Sequence, residues 1–539
     1  MKGTLLVAGT NSDAGKSALT AGLCRWLARQ GVRVAPFKAQ NMSLNSFVTP
    51  GGAEIGRAQV MQAAAAGVEP TADMNPVLLK PGSDRRSQVV VLGQATAEAD
   101  AMSYRSMAAG LREVALASLN RLRAEFDVVI CEGAGSPAEI NLRATDVANM
   151  GLATAAGMPV IVVGDIDRGG VFAAFYGTLA LMPPADQALV AGFVINKFRG
   201  APELLATGNT MLEQLTGRPL LGVLPWVDGL GIDAEDSLAL TRSATASSSV
   251  TPAPAAPPAP GAPHTPQTTY TPAAPPASAV LRISVVKFPR VSNFTDLDAL
   301  AAEPGVLIRF ATEPAELADA DLVILPGTRA TVNDLGWLRR QGLAAAVTER
   351  AQAGRPVLGI CGGYQMLARD IDDQVESKAG QVAGLGLLPG RVVFAAAKTL
   401  GRPSGYALGA PVTGYEIHHG RVELDRSGCE PFLDGGRAGA VWGTSWHGTL
   451  ENDGFRRAFL AAVAEQAGRP FVPAPGTDFA RLREARLDAL GDLVTRHLDT
   501  AAVAKLISNG PPPALPVLPP AGPNAGPNAG PNAGPPEGA

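Results

Sequence analysis

The run Pro356-Val357-Leu358-Gly359-Ile360-Cys361-Gly362-Gly363-Tyr364-Gln365 leads an apolar, β-rich segment into a cysteine, two glycines and a helical pattern. That succession is a strand, a sharp turn and a helix, the geometry that lifts a nucleophile into a strained, exposed elbow. Glycines belong there because the turn leaves no room for side chains and demands unusual backbone angles. A lone cysteine more often ends as a buried structural residue. A second motif at the other end of the chain, however, asks for a nucleophile.

That motif is Gly9-Thr10-Asn11-Ser12-Asp13-Ala14-Gly15-Lys16-Ser17, which follows the apolar strand Thr4–Ala8 and opens a helix running to about Gln30. A glycine-rich loop between strand and helix presents backbone N–H groups and a helix N-terminus to phosphate. Lys16 reaches the β/γ-phosphates of ATP in such a loop, and the Ser17 hydroxyl ligates Mg²⁺. Gly9 stands one residue further from Gly15-Lys16 than in the common loop. Gly9, Thr10, Gly15, Lys16 and Ser17 are the expected ATP-binding residues.

The chain has 539 residues, too many for one domain, and 46% of them are hydrophobic, enough for real cores. A net charge of −4 gives no reason to expect nucleic acid or an anionic membrane as partner. Four scattered cysteines with no CxxC pair argue against a disulfide framework and a zinc site. The first strand starts within a few residues of Met1, leaving no room for a signal peptide. No apolar run is long enough to span a bilayer. The expectation is a cytoplasmic protein.

Strands alternate with helices on both sides of a Pro/Ala/Ser/Thr-rich stretch, 244–279, that cannot pack a core. Thr4–Ala8, Val32–Phe37, Asp127–Cys131, Pro159–Val163 and Val190–Ile195 precede it. Arg282–Val286, Val306–Phe310, Leu322–Leu325 and Pro356–Ile360 follow it. The rhythm predicts two tandem α/β domains, each with a parallel sheet covered on both faces. The expected divisions are a P-loop domain over 1–240, a linker over 241–279, a second α/β domain carrying Cys361 over 280–475, a helical extension over 476–509 and a low-complexity tail over 510–539.

In the first domain Glu132 ends an apolar strand, where ligands of parallel sheets bind, and opposite a P-loop it would hold Mg²⁺ directly or through water. Asp165 and Asp167 end another strand at the same edge and serve metal or substrate, or cap the next helix. Asn196-Lys197 is a candidate reader of the nucleotide base.

Gly9–Ser17 resembles the modified P-loop of dethiobiotin synthetase and its relatives. Phe37-Lys38-Ala39-Gln40-Asn41-Met42-Ser43-Leu44-Asn45-Ser46, Glu54-Ile55-Gly56-Arg57-Ala58-Gln59 and Met74-Asn75-Pro76-Val77-Leu78-Leu79-Lys80-Pro81 resemble the cobyric acid synthase family of cobalamin biosynthesis. The likeness spans nearly the whole chain apart from linker and tail. It implies that ATP phosphorylates a corrin carboxylate and that ammonia from glutamine displaces the phosphate. The implied substrate is adenosylcobyrinic acid a,c-diamide, amidated at side chains b, d, e and g. Ser17, Glu132 and Glu54 are the expected Mg²⁺ residues. Lys38 and Lys80, with Arg85 and Arg86, are candidates to pair with corrin carboxylates.

Glutamine hydrolysis needs a thiolate, a base and an oxyanion hole. Cys361 is the expected thiolate. His447 lies in Trp442-Gly443-Thr444-Ser445-Trp446-His447-Gly448, which resembles the Gly-Thr-x-x-His-Gly segment of this family's glutaminases, and it is the expected base. Most class I glutaminases place an acid two residues later; here that position is Thr449, so a third member is missing or comes from elsewhere. His418 and His419 belong to a second family-like segment of open role. The Gly362 N–H is one expected oxyanion donor, and Gly327 or Thr328 supplies the second. The remaining alternatives are an amidotransferase acting on another acid, such as the a,c-diamide stage or a cell-wall precursor, and a P-loop switch ATPase whose second domain only binds a partner.

Overall fold

The computed structural model describes residues 1–83, 85–227, 230 and 280–519; Asp84, the linker body and the repeats from Gly522 onward lie outside the described residues. Two α/β units bear out the expected architecture. In the first, β1 (Gly3–Gly9), β2 (Val34–Phe37), β3 (Val128–Glu132), β4 (Val160–Asp165), β5 (Val190–Phe198) and β6 (Leu220–Pro225) form one sheet in the order β6-β5-β4-β1-β3-β2. All neighbours are parallel. Such strands are covered on both faces, which is why they read as continuous apolar runs rather than as alternation.

In the second unit β7 (Leu281–Val286), β8 (Val306–Ala311), β9 (Leu322–Leu325), β10 (Val357–Ile360), β11 (Glu430–Phe432), β12 (Gly435–Ala438) and β13 (Val441–Thr444) form a sheet in the order β8-β7-β9-β10-β13-β12-β11. Its first five members are parallel, and an antiparallel edge follows. The expected thiol and base therefore end adjacent parallel strands, β10 and β13.

Helices α1 (Lys16–Arg29), α2 (Arg57–Ala66) and α3 (Gly362–Leu367) start at the carboxyl ends of strands or of the short hairpin Ser46–Val48/Glu54–Gly56. A separate four-stranded sheet carries Lys80 on Val77–Pro81. These short β segments escape a periodicity reading because each offers only three to six residues.

The extension over 476–509 does not stay with the second domain. Its helices α4 (Phe479–His497) and α5 (Thr500–Asn509) lie on the first, where Leu487, Leu490, Val494, Val503, Leu506 and Ile507 share a core with Leu5, Val7, Leu19 and Leu23. The i, i+3, i+7 spacing of Leu487, Leu490 and Val494 gives α4 an apolar stripe that must be covered. Gly22 of α1 admits the close approach, since a Cβ there would lie 2.8 Å from the Leu490 carbonyl oxygen. Arg25 fixes the register through Glu484 and Asp488, both at 2.7 Å.

The tail expected from 510 also begins later, because residues up to 519 pack on the first domain. Leu518 is buried, its N–H donates to Gln187 Oε1 (2.8 Å), and its carbonyl accepts from Gln187 Nε2 (3.2 Å). Arg218 donates to the Pro516 carbonyl. Deleting the chain from Gly522 is expected to leave activity and melting temperature unchanged. Deleting it from Pro511 exposes this seat, and Leu518→Ala alone is expected to cost about 2 kcal/mol in denaturant unfolding.

The two domains meet through specific contacts. Ser46 N–H donates to Asn293 Oδ1 (2.8 Å), Arg57 pairs with Glu451 (2.6 Å), and Val48 packs with Tyr415 and Ile417. Phe47 reaches across to Tyr415, with ring centroids 4.8 Å apart.

Candidate active sites

Residues of the phosphate loop take left-handed backbone at Asp13 (φ 61°) and Gly15 (φ 103°). A side chain at Gly15 is impossible, for its Cβ would fall 2.0 Å from Asn196 Nδ2. Asn196 itself donates to the Ala14 carbonyl (2.9 Å) and so braces the loop from β5. Lys16 Nζ donates to the Asn11 carbonyl (3.0 Å), folding its ammonium back over the loop where phosphate oxygens would sit.

Ser17 Oγ donates to Glu132 Oε1 (2.9 Å), and Lys38 Nζ donates to the same oxygen (2.8 Å). Gln62 of α2 donates to the other carboxylate oxygen. Burial alone would raise the Glu132 carboxyl, but Lys38, Gln62 and Lys16 together hold it below its ordinary range. Mg²⁺ takes a small number of hard oxygens from protein and the rest from phosphate and water. Ser17 Oγ and the ionised Glu132 carboxylate, side by side at a P-loop, fit that ion. Beside Gly15 an apolar cavity of about 310 Å³ is walled by Leu19, Leu224 and Trp226 and, from α4, Leu490 and Val494. Asn196 lies at its rim. The C-terminal helix thus builds part of the nucleotide side, which no local spacing announces.

Three expected assignments are overturned here. Glu54, expected on the metal, is fully buried, and its oxygens are taken by Lys80 Nζ (2.6 Å) and Lys398 Nζ (2.5 Å). The two ammonium groups hold its carboxyl far below the usual range and occupy the place a cation would need. Lys80, expected on the corrin, is 3% exposed and bonded to Glu54 and Ser46 Oγ (2.8 Å). It lines the thiol pocket instead. Lys38, also expected on the corrin, is instead buried against Glu132 (2.8 Å), on the phosphate side.

At the thiol, Cys361 has φ 51° and ψ −110°, a strained conformation for a residue with a Cβ. Its N–H donates to the Thr444 carbonyl (2.8 Å), tying the elbow to β13. A Cβ on Gly363 would strike the Leu325 carbonyl oxygen at 1.9 Å, so the turn can close only with glycine. A Cβ on Gly362 would lie 3.1 Å from Thr328 N, so the elbow packs directly against the loop that carries the second expected oxyanion donor. Gly327 faces the base: its Cβ would lie 2.9 Å from His447 Cε1.

His447 is buried, and its Nδ1 is 2.7 Å from Asp296 Oδ2. The other oxygen of Asp296 accepts the Gly448 N–H (2.7 Å), which holds the carboxylate in place beside the ring. Nε2 is the nitrogen left for the thiol. Burial would depress the His447 pKa, but Asp296 and Cys361 outweigh it and raise it to about 10. Burial would raise the Cys361 thiol, but His447 and then His418 pull it below its ordinary value. Both shifts favour the thiolate–imidazolium form of the pair.

Asp296 is the missing third member, 151 residues before the histidine. Its loop is anchored by the first domain through Asn293, left-handed at φ 52°, and Tyr415 stacks on the histidine ring at 5.4 Å. Asp296→Asn preserves shape but loses the charge and favours the wrong tautomer. Glutamate release is expected to fall on the order of 10³-fold, with ammonium-driven synthesis retained.

His418 lies near the thiol, with Nδ1 2.8 Å from the Gly420 carbonyl and Nε2 3.2 Å from Glu416. His419 is held by the Ala395 carbonyl (3.0 Å) and Gln88 of the first domain (3.3 Å).

The nucleotide-binding domain model of the CobQ/CobB/MinD/ParA type matches residues 5–238, and the CobB/CobQ-like glutamine amidotransferase domain model matches 282–455. The chain is 65% identical over 524 residues to a cobyric acid synthase of Frankia casuarinae, covering 96% of this chain and 99% of the relative. It is 61% identical, with the same coverage, to a cobyric acid synthase of Streptomyces coelicolor. Among the described residues no helix is long and apolar enough to cross a membrane. On these grounds the chain belongs to the cobyric acid synthase family.

Proposed function

We propose that the chain amidates the b, d, e and g carboxylates of adenosylcobyrinic acid a,c-diamide, using ATP and glutamine, to give adenosylcobyric acid. The observation that carries this reading is a phosphate loop with Ser17 against Glu132 and a Cys361-His447-Asp296 triad in one chain. A switch ATPase has no use for a thiolate–imidazolium pair.

A corrin carboxylate oxygen attacks the γ-phosphorus of ATP, and ADP leaves. Lys16 neutralises charge on the transferred phosphoryl; Ser17 and Glu132 would hold Mg²⁺, which would supply further charge neutralisation at the phosphates. In the other domain the Cys361 thiolate attacks the side-chain amide carbon of glutamine, and Gly362 N–H with Thr328 N–H takes the developing oxyanion. His447 gives its Nε2 proton to the departing ammonia, and water hydrolyses the thioester to glutamate. Ammonia then displaces phosphate from the acyl phosphate to leave the amide.

The test is incubation with ATP, glutamine and the a,c-diamide, followed by product mass. Each amide is expected to consume one ATP and one glutamine, with ADP and phosphate released, until all four carboxylates have reacted. AMP with pyrophosphate would sink the acyl-phosphate route; a product halted after two amidations would favour an a,c-diamide-type enzyme.

A further inference from the structure

The cavity beside Cys361 is small, about 30 Å³, and Arg329, Glu376, Lys80 and Lys398 are among the charged side chains that line it. Arg329, 9% exposed, gives Nη1 to Glu376 (2.6 Å) and Nη2 to Glu98 of the first domain (3.3 Å). Its Nε–H, also buried, has no hydrogen-bond partner among the described residues. A buried guanidinium donor without an acceptor is costly unless a ligand supplies one. Lys80 and Lys398 stand in the same wall and share Glu54. Three buried cations thus face only two buried carboxylates, Glu54 and Glu376, since Glu98 is half exposed.

A wall with one surplus positive charge and one lining carboxylate, Glu376, complements an α-amino acid, which carries a carboxylate and an ammonium on one carbon. We propose that Arg329 and Glu376 form the subsite for the α-amino-acid end of glutamine, Arg329 taking the carboxylate and Glu376 the ammonium, so that the side-chain amide reaches Cys361. This rests on the reading of Cys361 as the glutaminase nucleophile. Arg329 surrenders part of its contact with Glu376 to the ligand, and the released oxygen of Glu376 meets the ammonium. Lys80, which comes from the first domain, supplies part of the positive field, so the subsite is complete only when both domains are assembled.

The experiment measures release of ammonia by the full chain from L-glutamine, from glutaramate, which lacks the α-ammonium, and from 4-aminobutanamide, which lacks the carboxylate. The wild type is expected to prefer L-glutamine strongly over both. Glu376→Gln, nearly isosteric, is expected to lower kcat/KM for L-glutamine by about 10²-fold, mainly through KM, and to erase the preference over glutaramate alone. Arg329→Gln is expected to erase the preference over 4-aminobutanamide, with partial recovery in Arg329→Lys. A Glu376→Gln protein of normal melting temperature that keeps its KM and its preference over glutaramate overturns the proposal, whatever Arg329→Gln does to folding. Persistent glutamine hydrolysis by Cys361→Ser would instead bring down the nucleophile assignment beneath it.

Discussion

Cys361→Ala or Cys361→Ser is expected to eliminate glutamine-dependent synthesis while sparing synthesis from concentrated ammonium at alkaline pH. The thiol only releases ammonia from glutamine; free NH₃ needs the acyl phosphate alone, and its supply rises as pH approaches the ammonium pKa. His447→Ala shows the same split less completely, because a thiol keeps some thiolate without its base. The pH dependence of glutamate release follows from the two shifts. The thiol titrates below its ordinary value and His447 near 10, so the reactive ion pair persists between them. Activity is lost as pH falls through the lowered thiol pKa, and again as pH rises through that of His447. A wild-type profile that already collapsed near pH 7 on the alkaline side would contradict the Asp296–His447 pairing. A folded Cys361 variant that lost ammonium-driven synthesis too would show the two sites to be obligatorily coupled.

What the sequence discloses tracks how local each cause is. The parallel strands are legible because burial on both faces forces an apolar run of four or more residues. The phosphate loop and the cysteine elbow are legible because each needs glycine where backbone, not side chain, must come close, as at Gly15 and Gly363. Asp296 is illegible for the opposite reason. It reaches His447 from the short 3₁₀ turn Phe294–Leu297 after β7, and nothing in the spacing of 151 residues marks it. Glu54 and Lys80 mislead because a charged residue in a distinctive motif reads as a ligand, whereas here each is the other's buried partner. The apolar stripe of α4 is legible, but not which domain covers it. Composition places the helix after the glutaminase segment; packing against Gly22 returns it to the phosphate loop's own helix.

Lys16→Ala is expected to abolish amide formation on the order of 10³-fold or more, with glutamine and with ammonium alike. The difference from Cys361 is the point of the experiment, since phosphorylation precedes nitrogen transfer whatever the nitrogen source. Glu132 belongs to the same class by geometry: Ser17, Lys38 and Gln62 all donate to its carboxylate, so one group would orient the hydroxyl toward a bound Mg²⁺ and set the charge beside the phosphate loop. Glu132→Ala should therefore fail with both nitrogen donors. It also takes a fully buried carboxylate from beside the Lys38 ammonium, a change that can cost about 3–5 kcal/mol of stability. Glu132→Gln separates the two effects, since it keeps the volume and an acceptor while discarding the charge. If Glu132→Gln melts normally yet forms no amide from ammonium, the carboxylate acts on ATP and its metal. Near-normal synthesis by that variant would leave Glu132 as a structural anchor for Lys38 and would move the metal's protein ligand elsewhere.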